Sequence, residues 1–62
     1  MDSKELELLS VLIQERLLTN WKKCDQLGSG SQYDYITQGC YVLRNIAYAL
    51  KLVMPDEIWA RF

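Results

Sequence analysis

The chain has 62 residues, half of them apolar, with a net charge of −1, two cysteines and no histidine. One domain is the ceiling at this length. The balanced charge argues against a binder driven by phosphate contacts and against an acidic nucleic-acid mimic. Cys24 and Cys40 stand sixteen residues apart, so no zinc spacing exists. No alternating run of acids suits calcium either, and neither a metal nor a cofactor is expected.

A domain this short buries only about 60% of its unfolded surface. Area-based hydrophobic gain then roughly cancels the cost of ordering the chain. Small domains close the gap with disulfides, metals or self-association. Self-association is the expected route here.

In chain order, "DSKELELLSVLIQERLLTNWKKCDQL" reads as one helix over about 3–27. Asp2 or Ser3 suits its cap, and Glu5 stands three after Asp2 as in a capping box. At about 100° per residue, Leu6, Leu9, Ile13, Leu17, Trp21, Cys24 and Leu27 fall on one side. A second arc, Leu8, Val11, Leu12 and Leu18, lies elsewhere. Glu7 and Gln14 divide it from the main stripe on one flank, and Glu5 and Arg16 on the other. One partner helix does not cover both arcs, so the second arc is expected to form a homodimer interface.

"GSGS", residues 28–31, is a turn. Gly28 suits the left-handed position after a helix end, and Ser31 is placed to cap the next helix with Asp34 three later. That helix is expected over about 32–54, stopped by Pro55. Ile36, Gly39, Leu43, Ile46, Leu50 and Val53 alternate spacings of three and four, a heptad seam. Gly39 reads as a small residue admitting a bulky neighbour such as Trp21. Tyr35 reads as core edge. Tyr41, Tyr48 and Leu52 project opposite the seam, beside Arg44 and Asn45.

"DEIWARF" after Pro55 opens with two acids that complement a helix dipole. A short third helix over about 56–61 follows, folding back to close the open end of the hairpin or extending a partner surface through Trp59 and Phe62. Counted from the turn, Cys24 and Cys40 sit at levels about 6 to 8 Å apart along the helices. Two buried free thiols are therefore expected rather than a disulfide.

The expected fold is all-α: an antiparallel helical hairpin with a short C-terminal helix, pairing into a dimeric four-helix arrangement. Catalysis is not expected. No histidine is present to activate a nucleophile, and a two-helix hairpin offers no cleft to desolvate a carboxylate pair. No apolar run reaches the ~18 residues that span a bilayer. The N-terminus "MDSKELELL" lacks the basic-then-apolar order of a signal peptide. Glu5, Glu7, Glu15 and Asp25 on the polar face of the first helix argue against an interfacial membrane helix. A cytoplasmic chain with reduced thiols is the expectation.

In length and two-helix plan the chain is similar to the Rop family, dimeric hairpins that bind paired RNA loops. Arg44 and Lys51 share a side with Tyr48, which suits base stacking, so structured RNA is the alternative ligand. The leading expectation is a small interaction module, a regulator, adaptor or inhibitor of a kind bacteriophages also make. Its expected target-binding residues are Tyr41, Arg44, Tyr48, Leu52, Trp59 and Phe62, because Trp, Tyr and Arg dominate binding hot spots; for Tyr41 and Tyr48 a place in the homodimer interface is the equal alternative.

Overall fold

Asp2 begins the first helix by the expected chemistry. Its carboxylate accepts a hydrogen bond from the Glu5 backbone N–H at 2.8 Å, which satisfies one of the donors every helix start leaves open. The computed structural model describes all residues, Met1–Phe62, and is all-helical: α1 (Ser3–Leu27), α2 (Ser31–Ala49) and α3 (Asp56–Ala60). Gly28 ends α1 with φ 75°, its N–H donating to the Cys24 carbonyl. Gly30, at φ 108°, completes the turn. Only glycine adopts such angles cheaply. Gly30 takes the cap position of α2 and no side chain caps that helix, so Ser31 is its first residue and not its cap.

The two long helices pack against each other as an antiparallel hairpin. The C-terminal segment then lies in the groove between them and runs parallel to α1. At its start, Ser10 Oγ donates to the Val53 carbonyl at 2.7 Å. At its end, Phe62 meets Trp21, and Arg61 pairs with Asp25 near the turn. The segment thus lies along the groove beside Ser10 to Asp25 of α1, whereas one of the two expected roles had it closing the open end. Ile13, Leu17 and Trp21 from α1, Cys40 and Ala47 from α2, and Leu52, Met54 and Ile58 from the returning segment form one core.

This third layer corrects three expectations about α2. The helix stops at Ala49, five residues short of Met54. There the Leu52 N–H donates to the Ala47 carbonyl at 2.9 Å and the Lys51 N–H to the Tyr48 carbonyl at 3.1 Å. These two bonds are the Schellman closure of a helix. Lys51 occupies the left-handed position, φ 54°, that glycine usually takes. The sharp exit turns Leu52 and Met54 inward to 7% and 5% exposure and leaves Val53 at 88%. Leu52, expected on the partner face, is therefore core, and Val53, expected in the seam, is not.

The seam itself is rotated by about one residue. Cys40 and Ala47 are buried, flanked by half-buried Ile36, Leu43 and Leu50. The inward line is 36, 40, 43, 47, 50 instead of 36, 39, 43, 46, 50. α2 faces two neighbours, α1 and the returning segment, and its buried arc lies between them. Gly39 and Ile46 are displaced outward as a result. Nothing lies within 4 Å of where a Cβ on Gly39 would stand, so the glycine does not accommodate Trp21. Tyr35 is 78% exposed and does not belong to the core edge.

On α1 the main stripe is buried from Ile13 through Cys24, joined by Ser10. Leu27 lies outside the core. The second arc, Leu8, Val11, Leu12 and Leu18, is 45–62% exposed, uncovered by anything in the chain. Cys24 and Cys40 are free, buried thiols. No helix is long and apolar enough to cross a membrane.

Candidate protein-binding surface

Tyr41, Arg44 and Tyr48 follow one another on α2 at spacings of three and four, which stacks their side chains along one face. Trp59 and Phe62 arrive on that face from the returning segment. The Tyr48 and Trp59 rings stack at 4.8 Å with planes 17° apart. Phe62 sits between Trp21, edge-on at 5.3 Å, and Tyr41 at 5.7 Å. The Arg44 guanidinium fills the space between these contacts, 4.8 Å from the Tyr41 ring centre, 5.6 Å from Phe62 and 5.9 Å from Tyr48.

The row therefore has an internal purpose first. A five-residue helix such as α3 does not form alone, and these rings dock it. Each aromatic pair contributes about 0.5–1.5 kcal/mol beyond burial, and each exposed cation–ring contact about 0.5–1 kcal/mol. Two tyrosines stand off the seam of α2 because a third layer lies on that side.

The row also has an outer surface. Tyr48 is 61% and Tyr41 42% exposed, while Arg44, Trp59 and Phe62 are half-buried. Arg44 Nη2 donates a long 3.5 Å hydrogen bond to Asn45 Oδ1, and its Nε is buried with no acceptor. The guanidinium is thus oriented by ring faces and makes no ion pair, which leaves its charge uncompensated by any carboxylate of the chain. Five of the six expected binding residues come together in one row; Leu52 alone lies beneath it in the core.

Trp21, Asp25 and Arg61 extend the row, and sequence reasoning did not assign them to it. The Arg61 guanidinium lies 5.1 Å from the Trp21 ring centre, and its Nη2 donates to both carboxylate oxygens of Asp25 at 3.0 Å. Nothing in the spacing of Asp25 and Arg61 signals that pairing, because the returning segment's register decides it. Trp21 was legible as core but not as the anchor of Phe62.

A cavity of about 200 Å³ has Phe62, Arg61, Cys24, Thr37 and Cys40 among its lining residues. The Cys24 sulfur stands 3.7 Å from Thr37 Oγ1. Burial pushes the Cys40 thiol above its ordinary pKa, which suits a packing residue and not a nucleophile. No group of three His, Cys, Asp or Glu side chains is placed to hold a metal. No family model matches the chain, and neither a curated protein nor a solved structure matches it.

Proposed function

We propose that the chain is a small non-enzymatic protein–protein interaction module. It acts as a homodimer in the reducing cytoplasm and regulates, bridges or inhibits a target protein by covering part of its surface. The observation that carries this reading is the row Tyr41, Arg44, Tyr48, Trp59. These are the side-chain types that dominate binding hot spots, and ring contacts hold them in place before any partner arrives. Preorganised side chains lose little entropy on binding. The uncompensated Arg44 charge beside exposed rings suits a partner that presents a carboxylate there.

Self-association is supported by the apolar side chains the hairpin leaves open. They lie in two tracts: the α1 arc of Leu8, Val11, Leu12 and Leu18, and Tyr35, Val42 and Ile46 on α2, at 41–78% exposure. Exposed apolar surface on this scale marks interaction sites.

The test is capture from an extract of the native host with a tagged chain. One stoichiometric protein is expected with the wild-type chain and with Glu15→Gln, a control on the outer face of α1. Arg44→Ala and Tyr48→Ala are expected to lose it, each costing ~2 kcal/mol or more of binding. Capture that survives both substitutions would place the partner surface elsewhere. Recovery of RNA instead of protein would establish the structured-RNA alternative.

A further inference from the structure

We infer that the homodimer forms by antiparallel packing of α2 against α2 of a second copy, along the stripe Tyr35, Gly39, Val42, Ile46. This rests on the self-association read above and assigns its contact surface, away from the α1 arc.

The stripe exists because of the returning C-terminal segment. By rotating the buried line of α2 onto Cys40 and Ala47, that segment turns residues 39 and 46 out to join 35 and 42 on the flank facing away from it. Tyr35 is 78%, Val42 56% and Ile46 41% exposed. Gly39 between them has nothing within 4 Å of a would-be Cβ. The spacing is four, three, four, that of a helix seam seeking another helix.

That order reads the same in both directions. A two-fold axis crossing α2 between Cys40 and Tyr41 brings Tyr35 opposite Ile46 of the second copy and Gly39 opposite Val42 of the second copy. Each large side chain then meets an apolar one, and the glycine, which costs about 1 kcal/mol against alanine within a helix, gives room for Val42. A closed dimer requires such self-complementarity.

Charge distinguishes this stripe from the α1 arc. Of the nineteen residues of α2, only Asp34 and Arg44 are charged, and Arg44 is engaged on the opposite flank. Near a two-fold axis a charged residue approaches its own copy, and like charges there cost several kcal/mol. The α1 arc is interleaved with Lys4, Glu15 and Lys22 at helical positions on the same side. The α2 stripe carries no charge.

Area gives the second reason. The chain exposes 4700 Å², whereas a compact monomer of 7.3 kDa exposes about 4200 Å². The excess, about 500 Å² per chain, approaches the ~600 Å² per partner at which specific interfaces begin. An elongated hairpin of 39 × 17 × 16 Å recovers that excess by lying lengthwise against another.

The experiment is sedimentation equilibrium of the wild-type chain, Gly39→Leu, Val42→Asp and Leu12→Asp, with helicity measured on each. In the isolated hairpin Gly39→Leu meets no atom near its Cβ and replaces the poorest helix former but proline with a good one, so helicity holds or rises. Its dimer dissociation constant is expected to rise at least tenfold, and that of Val42→Asp likewise. Leu12→Asp is expected to change it less than threefold. A wild-type dimer that Leu12→Asp splits and Gly39→Leu does not overturns this interface while leaving self-association intact. A wild-type chain that stays monomeric to millimolar concentration overturns self-association itself, and the interface with it.

Discussion

Lys51 is the residue on which the shape of the C-terminus turns. Its left-handed φ of 54° costs a non-glycine residue about 1 kcal/mol. The conformation persists because the closure it permits buries Leu52 and Met54 and aligns the Ser10 hydroxyl with the Val53 carbonyl. A lysine there gave no sign of a helix end, since glycine is the usual signal at that position. Lys51→Gly is expected to stabilise the fold by about 1 kcal/mol, seen as a higher urea midpoint at unchanged slope. Lys51→Val, whose branched side chain tolerates the left-handed region worst, is expected to lower the midpoint. A midpoint unmoved by both would mean that residue 51 is not held in this conformation.

At the scale of elements, α3 is docked by side chains and not by helix propensity. Its single ion pair, Arg61 with Asp25, is solvent-exposed, with the two side chains 45% and 68% accessible, and such pairs contribute about 0.5 kcal/mol or less. Phe62 does more, because it touches Trp21, Tyr41 and Arg44 together and lines the same cavity as Cys40. Phe62→Ala is expected to cost about 1–2 kcal/mol, the transfer and ring-contact share of a half-buried phenyl. It is also expected to speed alkylation of Cys40 in the folded chain several-fold, whereas Asp25→Asn leaves that rate within twofold. Equal labelling in wild type and Phe62→Ala would show that Phe62 does not shield Cys40.

At the scale of the whole molecule, the proposed homodimer ties stability to concentration. A folded dimer that separates on unfolding gains stability by mass action. Raising the chain concentration a hundredfold is expected to lift the melting temperature by about 5 °C or more, given the small unfolding entropy of a chain this size. A melting temperature independent of concentration would oppose self-association. Much of the architecture was legible in advance: the Asp2 cap, the glycine turn, the stripe from Ile13 to Cys24, and a short helix after Pro55. These follow from local chemistry, namely capping oxygens, left-handed glycines and the 3.6-residue period, all of which act within a few positions of each other. Helical spacing put Tyr41, Arg44 and Tyr48 on one face in advance, but the ring contacts that bring Trp59 and Phe62 onto that face were not legible. Tertiary structure decided that Leu52 is core, that Lys51 ends α2, that the inward line of α2 passes through Cys40 and Ala47, and that Asp25 meets Arg61. Each of these depends on where residues 51–62 lie, a choice made by contacts between positions some 11 to 43 apart in the chain. A heptad pattern records that a helix has a buried side. How far that side turns is set by the number of neighbours competing for it, and here the second neighbour was the protein's own C-terminus.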